Sequence, residues 1–303
     1  MIVVGSVNTD MYLKVDHLPA SGKTAISTRS SLYPGGKGIN QSVGAAKLGA
    51  RVSLIGAVGN DVDSDRIYAA LREHSVNSAG VRRCGDASTG KAFIFVQKDG
   101  DSMISILAGA NGSLNAADID RNIRVFENCS YCLVSTEIPE DVVLASLKAA
   151  KMHQTTTILK PSTIQTISDE ILRYVDILIP NNEEICDLCP EGTLREKAEH
   201  FLKKGVKSVI VTLGQNGSYL KEADKEAYFP AQKFQSVDNT GACDAFISAL
   251  AVYLQSGYDI EKAIRIATYA AGFSITREGV YNALVDRSTL ESYLTQQDPE
   301  LLN

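Results

Sequence analysis

Nowhere in the 303 residues do 18 apolar positions run together, so no stretch is long enough to cross a bilayer as a helix. An excess of positive charge is also missing. The 30 Lys and Arg are outnumbered by 36 Asp and Glu, for a net charge of −6 and a pI near 5.3, and no basic cluster stands out. A bulk electrostatic grip on nucleic acid is therefore excluded, whereas an anion held by backbone amides, helix N-termini and a metal is not. The opening MIVVGSVNTD lacks a basic segment followed by a long apolar one, so it does not read as a signal peptide, and the expected location is cytoplasmic. Repeats, low-complexity tracts and linkers are absent too. With 44% hydrophobic and 22% charged residues, the expectation is one packed domain over residues 1–303.

The six cysteines include two Cys-x-x-Cys pairs, Cys129 with Cys132 and Cys186 with Cys189. The gap between the pairs far exceeds the roughly 15–20 residues of a zinc ribbon. The first pair also runs into the apolar stretch 131–134, a buried-strand signal on which residues three apart face opposite ways. Reduced thiols are expected rather than a metal centre. Two nucleotide-binding patterns are missing as well. There is neither a Walker A spacing nor a Gly-x-Gly-x-x-Gly run.

What is present is an alternation of two patterns. Short Ile- and Val-rich runs at 1–5, 52–58, 131–135, 156–159, 177–180 and 208–213 read as buried strands. Amphipathic stretches at 64–74, 139–151, 194–204 and 260–276 read as helices between them. Such alternation predicts an α/β fold with a mostly parallel central sheet and helices on both faces, with ligands beyond the C-terminal strand ends. Two segments break the rhythm. Residues 11–33 alternate polar and apolar around a turn at 18–22, and residues 88–107 do so around Lys98-Asp99-Gly100-Asp101, a hairpin signal. They predict a small antiparallel β lid inserted in the domain, or else peripheral hairpins without a role.

Chemistry concentrates in two segments. Asp238-Asn239-Thr240-Gly241-Ala242-Cys243-Asp244 leads into the helical run 247–254, so unpaired amides and the helix dipole offer a site for a phosphoryl group. Asp244, in the first turn, is placed to accept a proton from an attacking hydroxyl. The alternative is a favourable N-terminal charge with Thr240 as a cap. The second segment, Tyr33-Pro34-Gly35-Gly36-Lys37-Gly38-Ile39-Asn40-Gln41, puts glycine backbone where a ligand can approach closely, again at a helix start. The alternative is a glycine turn that merely joins lid to helix.

These two segments, in this order and about 200 residues apart, resemble the paired signatures of the PfkB carbohydrate kinase family, ribokinase branch, over residues 1–286. Shorter matches at 5–10, 109–111, 137–139, 180–184, 212–217 and 276–279 add to the resemblance. It implies a ribokinase-like three-layer fold and an ATP-dependent transfer of the γ-phosphoryl group to the primary hydroxyl of a small sugar. D-ribose comes first. A nucleoside such as pseudouridine or adenosine, a deoxyribose, a ketose derivative, or a catalytically weak sugar-binding regulatory role are the alternatives.

By resemblance, Asn8, Asp10, Gly36, Lys37, Asn40 and Glu137 contact the sugar, and Asp244 is the base. Gly241, Ala242 and Cys243 lend amides to the transferring group. Asn181 and Glu184 order magnesium through water, although the same pair reads alone as a capped helix start. Thr212, Gly214, Gly217 and Thr268 border the nucleotide. Asp238, Thr240, Ser274 and Gly279, with Arg277 alongside, mark a potassium-type site. The implied partners are a small sugar and ATP, with Mg2+ and K+ as ions. A homodimer through the lid is the implied assembly, though Tyr12, Leu13, Ile26 and residues 93–95 fit a substrate cover equally well.

Two positions depart from the pattern. Cys243 stands where glycine is usual, so a positive φ there would bring strain, and its thiol reduces activity or invites oxidation. Lys160 replaces an asparagine, putting charge near the phosphates or altering substrate choice.

Overall fold

The structure is a computed structural model and describes residues 1–97 and 102–302; the expected hairpin turn at 98–101 lies outside the described residues. In chain order the strands are β1 (Ile2–Val4), β2 (Asn8–Val15), β3 (Ser27–Gly35), β4 (Ser53–Gly59), β5 (Asn77–Cys84), β6 (Gly90–Val96) and β7 (Ser102–Leu107). They continue with β8 (Tyr131–Ser135), β9 (Thr156–Lys160), β10 (Ile177–Leu178), β11 (Ser208–Thr212), β12 (Ser218–Lys221) and β13 (Glu226–Phe229).

Nine of these form one sheet in the order β13-β12-β11-β10-β9-β8-β1-β4-β5. It is parallel from β5 to β11, and β12 and β13 add an antiparallel edge. Side chains alternate between two cores. On β1, Val3 packs into one apolar cluster with the helices Lys37–Lys47, Ala242–Gln255 and Ile260–Ser274, whereas Ile2 and Val4 enter the other with Glu140–Met152 and Leu194–Lys203. Both faces are dry over the inner strands, which is why the parallel strands inside β5 read as apolar runs. Among the described residues no helix is long and apolar enough to cross a membrane.

The remaining four strands form a second sheet in the order β3-β2-β6-β7. Its two hairpins are antiparallel as expected, and they join through β2 and β6, which run parallel. The pleat decides what each face does. Asp10, Tyr12, Tyr33, Ala92, Ile94, Ile104 and Ile106 share one face through the registers Asp10↔Tyr33, Asp10↔Ala92, Tyr12↔Ile94 and Ile94↔Ile104. Met11, Leu13, Leu32, Phe93, Phe95 and Met103 share the other. Asp10, Tyr12, Ala92 and Ile94 are buried, so the first face turns toward the large sheet. Tyr12 therefore points toward the large sheet, while Leu13, Phe93 and Phe95 point away from it.

Candidate active site

Asp10 lies on β2, directly after β1 leaves the large sheet between β8 and β4. It is 5% exposed, and among the described residues its Oδ1 has no hydrogen-bond partner. Burial, then the nearby Glu137 and Asp244 carboxylates, push its pKa up to about 7, against an opposing pull from Lys37. Lys37, Glu137 and Asp244 are thus close enough to Asp10 to act on its charge. Gly35 lets the Asp10 carboxylate lie against the backbone, since a Cβ there would stand 2.0 Å from Asp10 Oδ2.

The glycine-rich segment turns into the helix Lys37–Lys47 through Gly36, at φ 83°. A side chain at Gly36 would meet the Ser6 carbonyl oxygen at 2.6 Å. Ser6 ties the neighbourhood together. Its hydroxyl accepts from the Lys37 amide at 3.0 Å and donates to Glu137 Oε2 at 2.6 Å. The Lys37 ammonium stands 3.7 Å from Glu137 Oε1. Burial would lower the pKa of Lys37, but Asp244 and Glu137 outweigh it and hold the ammonium above the usual lysine range.

Asp244 sits in the first turn of the helix Ala242–Gln255 and is 2% exposed. Its Oδ2 accepts from Asn40 Nδ2 and its Oδ1 from Gln41 Nε2, each at 3.0 Å. Two neutral donors thus fix the carboxylate without removing its charge, and the helix N-terminus favours that charge further. Gly241 precedes the turn in the left-handed region, φ 77°, which leaves the following amides at the mouth of the helix. Positive φ falls there and not on Cys243, which has ordinary helical backbone, so the expected strain at Cys243 does not arise. The Cys243 thiol lies 3.2 Å from Thr212 Oγ1, bringing the end of β11 against the same mouth.

The turn before the helix is braced by Asp238, whose two oxygens accept from the amides of Thr240 at 2.9 Å and Gly279 at 3.0 Å. The Asp238 amide donates to the Ile275 carbonyl, beside Ser274. Asp238, Thr240, Ser274 and Gly279 are thereby neighbours, whereas Arg277 lies exposed at the rim. Tyr12 approaches from the small sheet and packs edge-on against Tyr33. Its buried phenol is held well above its usual pKa by burial and by Asp238 and Asp10.

Of the residues expected to border the nucleotide, Asn181, Glu184 and Thr212 meet beyond the ends of β10 and β11. Asn181 bridges to Thr212, and Asn181 with Glu184 makes a reciprocal helix cap, the Glu184 amide reaching Asn181 Oδ1 and the Asn181 amide reaching Glu184 Oε2, both at 2.7 Å. Glu184 also pairs with the buried ammonium of Lys160. Gly214 and Gly217, at φ 58° and 89°, shape the turn after β11. Thr268 lies within the helix Ile260–Ser274, its hydroxyl bonded to the Ile264 carbonyl.

Three contributors were given no role on the sequence. Gln41 is the second donor to Asp244, and Ser6 is the hub between Lys37 and Glu137. Asn111, 1% exposed, holds Asn8 Oδ1 at 2.8 Å and both backbone groups of Val7. Gln41 and Asn111 fall inside quoted motifs, so polar side chains that the topology buries were the available signal.

Comparison with known proteins agrees with this geometry. The chain is 33% identical over 303 residues to a bifunctional ribokinase/ribose-5-phosphate isomerase A of Fructilactobacillus sanfranciscensis, a match covering 98% of this chain and 56% of that protein, so it spans about half of that relative's length. A ribokinase of Bacillus subtilis is 32% identical, with 97% of this chain and 98% of the relative covered. The solved ribokinase of Arabidopsis thaliana, complexed with ribose and ATP, superposes with a TM-score of 0.89 at 31% identity, covering 97% of each chain. The model for "pfkB family carbohydrate kinase" matches residues 1–287. With that match spanning nearly its whole length, the chain belongs to the pfkB family of carbohydrate kinases.

Proposed function

We propose that the chain transfers the γ-phosphoryl group of ATP to the primary hydroxyl of D-ribose, giving ribose 5-phosphate. One observation carries this reading. A buried carboxylate, Asp244, is fixed by two neutral amides at the mouth of a helix, facing the acid-and-lysine cluster of Asp10, Lys37 and Glu137. In this reading Asn8, Asp10, Gly36, Lys37, Asn40 and Glu137 orient the sugar. Asp244 takes the proton from its hydroxyl, and the amides of Gly241, Ala242 and Cys243 meet the charge of the moving phosphoryl group. Asn181, Thr212, Gly214, Gly217 and Thr268 border the nucleotide. The small sheet covers the sugar and keeps water out.

A magnesium ion on the ATP phosphates neutralises their charge when bound. Glu184 does not fit the expected water-mediated hold on that ion as it stands, because Lys160 and the Asn181 amide already engage its carboxylate. The Asp238 turn suits a monovalent cation better. Its carboxylate is braced by the amides of Thr240 and Gly279, and in this reading the carbonyls of Thr240, Ser274 and Gly279 would hold the ion, with Arg277 at the rim. A second copy of the chain is the proposed partner of the outward face of the small sheet, where Leu32 and Met103 are 45% and 46% exposed beside Leu13 and Phe95.

Release of ADP over a panel of ribose, 2-deoxyribose, ketoses and nucleosides tests the reaction. Ribose is expected to give the highest kcat/KM. Faster turnover of a nucleoside or deoxyribose replaces the substrate, and sugar binding without ADP from any compound replaces the enzyme by a sugar sensor.

A further inference from the structure

At the C-terminal end of β9, Lys160 runs inward rather than toward solvent and is 2% exposed. Its ammonium meets Glu184 Oε2. The same oxygen accepts from the Asn181 amide at 2.7 Å, and Oε1 accepts from the Ser162 hydroxyl at 3.3 Å. Both carboxylate oxygens are therefore engaged, one of them by a full positive charge. The pair is neutral as a unit, whereas a carboxylate that attracts a hydrated divalent ion must offer net negative charge and free lone pairs. Among the described residues no group of three or more His, Cys, Asp or Glu is placed to hold a metal. Displacing the ammonium in favour of an ion would leave a buried positive charge without a partner, the more expensive of the two arrangements.

We propose that Lys160 is a positioning residue that occupies Glu184 in place of a divalent cation, so that this chain offers no protein-held divalent site beside the nucleotide and takes its ion only as it arrives on the phosphates. The proposal rests on the nucleotide-site reading of Asn181, Glu184 and Thr212. It also implies an ionic response of its own. Turnover rises with magnesium only until ATP is fully in its metal-bound form, and free ion beyond that changes nothing.

Manganese(II), titrated into the nucleotide-free full chain and followed by its electron paramagnetic resonance signal, measures the site without any turnover. Wild-type protein and Glu184→Gln are expected to bind Mn2+ equally weakly. Lys160→Met, which frees the carboxylate, is expected to bind it at least about tenfold more tightly, and Lys160→Met/Glu184→Gln to return to the wild-type value. Weaker Mn2+ binding by Glu184→Gln than by wild type overturns the proposal, because the native carboxylate would then be holding the ion. So does a Lys160→Met gain that survives in the double variant. If a single variant fails to fold, the double variant, which buries no lone charge, decides against wild type: equal binding supports the proposal and a loss defeats it. The sugar-kinase reading stands or falls separately, on ADP release by the wild-type chain.

Discussion

Asp10 and Asp244 are both buried acids, yet their surroundings treat them differently. Asp244 has a donor on each oxygen, whereas Asp10 has an unsatisfied Oδ1 and carboxylate neighbours. A pKa raised from 3.8 to about 7 means that the fold favours the neutral form of Asp10, so its ionisation costs stability. That cost is absent below about pH 4, grows as the pH rises through 7, and is constant above it. Asp10→Asn is therefore expected to raise the Tm of the ligand-free chain at about pH 8 and to leave it unchanged near pH 4. The ionised form is the better acceptor for two sugar hydroxyls, so the sugar KM of the wild type should fall between about pH 6 and 8. That of Asp10→Asn should be higher and flat over the same range. Asp244→Asn is expected to lower kcat by at least about a hundredfold while nucleotide affinity is kept. Rotation of Asn40, which presents its unpaired Oδ1 to the new amide, lets the variant fold. Wild-type turnover by Asp244→Asn would remove the proposed base.

Among the elements, the helix Ala242–Gln255 carries the most chemistry, and its entry depends on a residue that cannot have a side chain. A Cβ on Gly241 would stand 2.4 Å from Val280 Cγ1 on a backbone of φ 77°. Gly257, two residues beyond the end of the same helix, shares a positive φ of 92° but has open space around it. Gly257→Ala should cost about 1–2 kcal/mol for the left-handed backbone alone. Gly241→Ala should cost more in urea unfolding and also lose turnover, since the clash displaces the amides. Equal costs would mean that the Val280 contact yields freely.

The same elements show what the sequence discloses. Buried parallel strands are visible as unbroken apolar runs, and β1, β4, β8, β9 and β11 lie within two residues of their expected bounds. β5, β12 and β13 were not expected. They lie at the margins of the large sheet, where residues such as Asn77, Arg82, Arg83 and Glu226 dilute the apolar signal. In the site, Asp244 and the glycine turns were legible because helix-start chemistry is local. The Lys160–Glu184 pair was not, because residues 24 apart in sequence meet only once β9 and β10 are adjacent.

On the scale of the whole molecule, the small sheet is the least self-sufficient part. Among the described residues it buries only Tyr12, Ala92 and Ile94 in a cluster of its own, with Tyr33 and Val96 against them. All six residues of β7 are exposed, at an edge with unpaired backbone groups. Leu13→Glu/Phe95→Glu, on the outward face, should shift sedimentation from dimer to monomer, whereas a monomeric wild type at micromolar concentration would refute the assembly.

Because successive residues of β2 point to opposite sides, a chain position proposed to touch sugar is one peptide away from a position proposed to meet a second copy. Asp10 and Met11 are such a pair. Any force that steadies the outside of the strand also steadies the inside, so grip on the sugar should tighten as the protein is concentrated and slacken on dilution, with no change in the atoms that perform the transfer.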